Sequence, residues 1–196
     1  GLVGPPAEEL PDDWVPWTLT LADFDADGHL DMAATAGGYG DQPSPDRLWQ
    51  GNADGTFVDR SVATGFDSSQ GHFGMAMADF DRDGYPDLVV RPGEGGVKFW
   101  ENPCGEEAWV ELELRGPPSN SEGFGARVEL TAGGRVDLRE VHGVRALGQD
   151  DSTLHFGLGR VDLIEHLRVR WADGAITEAE DLPVRRRIEV RHPSLQ

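Results

Sequence analysis

One cysteine, Cys104, is all that 196 residues contain, so an internal disulfide framework is excluded. Basic side chains are scarce as well: 17 Lys and Arg stand against 36 Asp and Glu, a net charge of −19. A field of that sign repels nucleic-acid phosphate and anionic headgroups, so no nucleic acid is expected among the partners. No apolar run approaches the ~18 residues that cross a bilayer, and no membrane span is expected. The start at Gly1 shows no basic n-region, so we expect a mature form or an excised piece. Helical periodicity is missing. The six histidines fall into no H-x-x-H or H-E-x-x-H spacing and no nucleophile motif, so an enzyme is not expected.

What is present points to strands. Glycine (26) and proline (13) favour many turns, while 38% hydrophobic residues are enough for a packed core. The charge is unevenly spread. Residues 1–107 hold 21 Asp and Glu against 5 Lys and Arg, whereas residues 108–196 hold 15 against 12. That step predicts two modules with a boundary near Asn102–Glu107.

The first module repeats itself. The segment from Trp17 to Asp31 matches the segment from Gly74 to Asp87, with Asp23 and Asp79 lying 56 residues apart. Leu48-Trp49 aligns with Phe99-Trp100, and Gly1-Leu2 with Gly65-Phe66. A period of that size with several short strands reads as propeller blades. Leu19 and Leu21 alternate with threonines, Phe73 to Ala78 is small and apolar, and Leu88-Val89-Val90 is a buried-strand run. Asn52-Ala-Asp54-Gly55 is turn chemistry between 47–50 and 56–59. We expect four antiparallel strands in the first unit and three in the second.

Each unit carries D-x-D-x-D-G-x-x-D. Carboxylates at positions 1, 3 and 5 surround one centre, glycine at 6 allows the turn, position 7 offers a carbonyl, and the last aspartate closes the shell. The first ligand set is Asp23, Asp25, Asp27, the carbonyl of His29, and Asp31. The second is Asp79, Asp81, Asp83, the carbonyl of Tyr85, and Asp87. All-oxygen donors of this number suit calcium better than the tight octahedron of magnesium, so two Ca2+ sites are expected. An EF-hand is excluded, because position 12 is Ala34 or Val90 inside a strand-like run rather than glutamate on a helix.

These loops, with Leu48-Trp-Gln-Gly-Asn52-Ala-Asp-Gly-Thr-Phe57 between them, resemble FG-GAP/VCBS repeats. The resemblance implies blades of the integrin-α type of β-propeller with calcium in hairpin loops. Such propellers have more blades than the two legible here, so a C-terminal fragment is expected. The missing blades, or self-association, would then complete the sheets.

From Trp109 the pattern has period two: Val110, Leu112 and Leu114 alternate with Glu111, Glu113 and Arg115. Val128/Leu130 and Val136/Leu138 flank Ala132-Gly133-Gly134, and Asp173-Gly174 makes a further turn. This predicts a small antiparallel β-sandwich. Ser119-Asn120 through Gly123-Phe-Gly125-Ala-Arg127, His155-Phe-Gly157-Leu-Gly159 and Val169-Arg-Trp171-Ala-Asp-Gly174 resemble the ASPIC/UnbV domain, which follows FG-GAP repeats in its family.

The expected fold is therefore all-β: repeats over 1–105 (blades 1–64 and 65–105), then a sandwich over 108–192. The resemblance implies a secreted, extracellular or cell-surface protein, or a periplasmic one, with an adhesion or matrix-type role. Its partner would be an extracellular protein, or a glycan if the module is lectin-like. Four residue groups keep open readings. Asp150-Asp151-Ser152 with Glu122 makes a third cation site or an exposed turn. Arg185-Arg186-Arg187 binds a polyanion or forms a solvated strand edge. The tryptophans pack, or present faces to a sugar. Cys104 pairs outside the chain or stays free.

Overall fold

The computed structural model of the chain describes residues 14–37, 44–103, 105–142 and 152–195. Gly1-Leu2, Cys104, Asp150 and Asp151, on which some of the expectations rest, lie outside the described residues.

Strands β1 (Pro16–Ala22), β2 (Asp31–Ala36), β3 (Arg47–Gly51) and β4 (Phe57–Asp59) form one antiparallel sheet in sequence order. Strands β5 (His72–Ala78), β6 (Asp87–Pro92) and β7 (Lys98–Trp100) form a second. The expected four and three strands are both found. The duplication reaches the irregularities: the β1–β2 ladder slips between Pro16 and Thr18, and the β5–β6 ladder between His72 and Gly74. Each acidic loop is the tip of a hairpin, entered after Ala22 or Ala78 and left at Asp31 or Asp87. Helix was not expected, yet Ser61–Thr64 makes one turn, α1, closed by Gly65 in the left-handed region. One turn is too short to leave a helical period in the sequence.

The two sheets pack face to face around Ala22, Phe24, Ala33, Phe66, Met75, Leu88 and Val90. In β1 it is Thr18 and Thr20 that are buried, while Leu19 and Leu21 are exposed on the opposite face. Small side chains let the sheets approach closely enough for the Thr18 hydroxyl to donate to the Phe73 carbonyl (3.1 Å). A fully buried pair, Asp46 and His72, ties the start of β3 to β5, and Asp46 also accepts the Ala36 N–H (2.9 Å). Trp100 packs edge-on to Phe66 in this interior, whereas Trp49 meets Trp14 on the other side of the first sheet.

The remaining strands are β8 (Ala108–Arg115), β9 (Arg127–Ala132), β10 (Arg135–Glu140), β11 (Leu154–Gly159), β12 (Leu163–Arg170), β13 (Ile176–Pro183) and β14 (Arg186–Arg191). They make two sheets, ordered β10-β9-β12-β13 and β11-β8-β14. Val110, Leu112 and Leu114 of β8 face Val128 and Leu130 of β9 and Leu167 and Val169 of β12 in one core. The sandwich is not wholly antiparallel: β14 runs parallel to β8. Alternation of apolar residues states which face is buried but not strand direction, so the pattern could not reveal this. In that register Arg187 lies beside Glu111 and pairs with it (2.8 Å), and Arg185 donates to the Glu106 carbonyl. These two arginines of the triplet thus serve the seam between β8 and β14.

Candidate metal centre

The two acidic loops are built alike to the level of single hydrogen bonds. Asp23 accepts the Gly28 N–H (2.8 Å) as Asp79 accepts that of Gly84 (3.0 Å). Asp25 accepts from Asp27 N–H as Asp81 does from Asp83 N–H. Asp27 accepts from His29 N–H as Asp83 does from Tyr85 N–H, both at 2.8 Å. Asp31 takes the amides of Phe24 and Gly51, one on each oxygen, as Asp87 takes those of Phe80 and Asn102. The short Asx bonds wrap the chain, and Gly28 (φ 96°) and Gly84 (φ 95°) take the left-handed turn that a side chain resists.

Carboxylate oxygens of Asp23, Asp25 and Asp27 lie within 4.8 Å of one another, as do those of Asp79, Asp81 and Asp87. Positions 1 and 3 converge in both loops. Position 5 joins them in the first and the last aspartate joins them in the second, so Asp31 and Asp83 stand outside the tight trios. The first loop is the more enclosed: Asp23 and Asp31 are buried, and one oxygen of Asp23, Oδ1, is buried without a hydrogen-bond partner. Of the four aspartates of the second loop only Asp87 is buried.

Burial makes these carboxylates hard to ionise. Desolvation, with the neighbouring aspartates adding to it, pushes Asp23 up to about 8 against the pull of the Gly28 amide. Asp31 is raised to about 6, again chiefly by desolvation. Asp27, Asp79 and Asp83 are raised for the same reason. A cation among them removes the penalty that a proton otherwise relieves.

The sequence did not announce that the sandwich sits on both loops. The Gly159 N–H donates to the Ala26 carbonyl (2.7 Å), and Arg135 donates to the Gly157 carbonyl (2.9 Å) while its guanidinium lies over Gly28. At the second loop Trp109 lies against Gly84, and His155 Nε2 donates to the Gly84 carbonyl (2.8 Å). Burial depresses His155 to about 4, so the ring is neutral at physiological pH. Asn102 bridges the two loops, donating through Nδ2 to the Phe24 carbonyl (2.7 Å) and through its amide to Asp87. The position-6 glycines are thus needed twice, for the turn and for the close approach of Arg135 and Trp109. Sequence spacing shows the first need only.

A Cβ on Gly157 would fall 2.0 Å from Asp23 Oδ2 and 2.5 Å from the Ala26 Cα. Gly157→Ala is therefore expected to cost about 2 kcal/mol, or roughly 4–8 °C in Tm. A thermal melt within a degree of the parent would show that β11 and the first loop are not in register.

Elsewhere, Ser152 donates to Glu122 (2.6 Å), 30 positions earlier in the chain. No helix among the described residues is long and apolar enough to cross a membrane.

Comparison with known proteins fits this layout. A family model of the FG-GAP-like repeat matches residues 23–90, and the model of ASPIC and UnbV matches residues 116–196. A stretch of 46 residues is 50% identical to Cartilage acidic protein 1 of Xenopus tropicalis. It spans 23% of this chain and 7% of that protein's length. By its sequence and its sheets, the chain carries FG-GAP-like repeat sequence followed by an ASPIC and UnbV domain.

Proposed function

We propose that the chain is a calcium-binding interaction module of the extracellular space, with one ion in each acidic loop. Asp23, Asp25, Asp27, the His29 carbonyl and Asp31 hold the first ion. Asp79, Asp81, Asp83, the Tyr85 carbonyl and Asp87 hold the second. The observation that carries this reading is the buried, partnerless Oδ1 of Asp23, set among carboxylates in a loop that the chain builds twice. Donors that are all hard oxygens suit calcium. The ion supplies only charge and coordination; the residues provide the cage. The loop carboxylates serve ion binding rather than acid–base chemistry, so the module is not an enzyme.

The contacts of the sandwich explain why an ion would matter beyond its own loop. A loop collapsed by charge repulsion would lose the seat of β11 and Trp109. Calcium would then hold two modules in one orientation, which suits a protein that presents a surface to others outside the cell, where calcium is abundant. The partner on this reading is an extracellular protein.

Titration calorimetry on chelator-treated protein tests the ion count. Two calcium ions per chain are expected, falling to one in Asp25→Ala or Asp81→Ala, both at exposed positions. Absence of calcium-dependent heat, or a count unchanged in both variants, rejects the assignment.

A cleft of about 510 Å³ between the first two sheets supports a second reading, a glycan-binding module. Its floor includes Phe66 and Trp100, and its rim carries Asp25, Gln50 and Arg60, a mixture of apolar face and hydrogen-bonding groups. A glycan array read with and without calcium separates the two readings.

A further inference from the structure

Strand β10 carries its alternation the wrong way round. Its apolar residues, Val136 and Leu138, are 63% and 57% exposed, while Arg135, Asp137 and Arg139 are half-buried. In the β9–β10 ladder these three stand opposite Ala132, Leu130 and Val128, all of the sandwich core, so their side chains leave the sheet on its inner face. Three charged groups on an inner face break the rule that β9 obeys, and such a break marks a place with another task.

That face meets the first acidic loop. The Arg135 guanidinium lies over Gly28 and is paired with Asp137 (2.9 Å). Arg139 has no such partner. It donates to the Leu138 carbonyl (3.1 Å) and its guanidinium carbon stands 5.2 Å from the centre of the Phe156 ring, yet among the described residues no carboxylate lies within ion-pair distance of it. Phe156 is one residue before Gly157, which packs on Asp23. Burial makes the Arg139 charge costly and lowers its affinity for the proton; Asp137 and then Asp23 are the carboxylates that favour it. Asp23 in turn carries the buried Oδ1 without a hydrogen-bond partner. At the second loop the sandwich brings Trp109 and the neutral ring of His155 instead. Arg187, which borders that loop beside Asp79, is paired with Glu111 (2.8 Å), and Arg82 of the loop itself is exposed to water.

We propose that Arg139 sets the strength of the first ion site: it is a fixed positive charge, carried in by the sandwich, that weakens calcium binding at Asp23, Asp25, Asp27 and Asp31 without being a ligand. The inference rests on the calcium reading of that loop and concerns its affinity alone. Like charges repel, and poorly hydrated surroundings carry the repulsion across the contact. One opposing charge moves such a site toward the weak affinities of calcium modules outside the cell. The sign of the effect separates this role from a structural one. Damage to the contact between β10 and the loop loosens calcium, whereas removal of the charge tightens it.

Calorimetry on chelator-treated full chains tests it. Asp81→Ala leaves the first site to be titrated by itself. In that background Arg139→Met, which keeps an unbranched stem against Phe156, is expected to tighten calcium by roughly 5- to 20-fold. Arg139→Lys, which restores the charge, is expected to return the affinity to that of the background. In an Asp25→Ala background, where the second site remains, Arg139→Met is expected to change nothing. Calcium bound equally or more weakly by Arg139→Met, a gain of the same size with Arg139→Lys, or an equal gain at the second loop overturns the proposal. Loss of all calcium-dependent heat in Asp81→Ala alone overturns the calcium reading of the first loop, and the proposal with it. A variant whose circular dichroism differs from its background is replaced by Arg139→Gln.

Discussion

Excess chelator is expected to lower the melting temperature by about 10–20 °C. A site held at about 100 times its Kd contributes roughly 2.7 kcal/mol, two sites give about 5 kcal/mol, and each kcal/mol moves Tm by about 2–4 °C at this size. The dependence on pH gives the effect a signature. Without an ion, Asp23 is raised to about 8 and Asp31 to about 6 by burial. A carboxyl whose folded pKa lies above its unfolded value stabilises the fold when protonated. That contribution is fully present below about pH 4 and is lost as pH rises through the folded values. The chelated protein should therefore melt lower at pH 8 than at pH 5. Calcium needs the ionised carboxylates, so its stabilisation grows over the same interval and the gap between the two curves widens. Scanning calorimetry at several pH values reads both trends. A chelator-insensitive melt, or a gap that narrows with rising pH, contradicts the proposed ligand sets.

Asp31→Ala is expected to cost about 3–5 kcal/mol, and to do so with or without calcium. Its two oxygens accept the amides of Phe24 and Gly51, both at 2.8 Å, in a buried setting. Removing the side chain strands two donors, at about 1–3 kcal/mol each. Asp87→Ala should behave in the same way through Phe80 and Asn102. Asp25→Ala provides the contrast, since Asp25 is exposed. Its hydrogen bonds from the Asp27 amide and the Gln50 side chain are exposed, so in chelator the substitution should cost well under about 1 kcal/mol, and its main effect should appear in the calcium-loaded melt. The position-9 aspartate is thus a buried backbone anchor as well as a ligand, while position 3 is a ligand whose own hydrogen bonds, such as that from the Asp27 N–H to Asp25, are exposed to solvent. Equal effects of Asp31→Ala and Asp25→Ala in chelator would remove that distinction.

The strands of the first two sheets and both acidic loops were legible because each is a local pattern: a period of two, a turn dipeptide, carboxylates at fixed spacing. The repeat doubled each signal. Three features were not legible, for a shared reason. Leu19 and Leu21 look like core residues, and only the neighbouring sheet decides that Thr18 and Thr20 face inward. Strand β14 looks like any alternating strand, and its parallel partner lies far back in the chain. Arg135, Trp109, His155 and Gly157 bear on the acidic loops from more than 70 residues away along the chain in the case of His155 and Gly84. None of these contacts writes a spacing into the sequence. The paired carboxylates could be found from one stretch of chain; what presses on them could not.

The parallel pairing of β14 with β8 also sets an order of events. Glu111 and Arg187, which meet across that pair, are 76 positions apart. During synthesis at roughly 5–20 residues per second, β8 leaves the ribosome about 4–15 s before its neighbour exists. For that interval a strand meant for the middle of a sheet presents an unpaired edge, the kind of surface that recruits foreign strands. Long-range pairing of this sort is also slow to form once both partners are present. The sandwich therefore cannot grow strand by strand from its first element. It closes only once β14 has emerged.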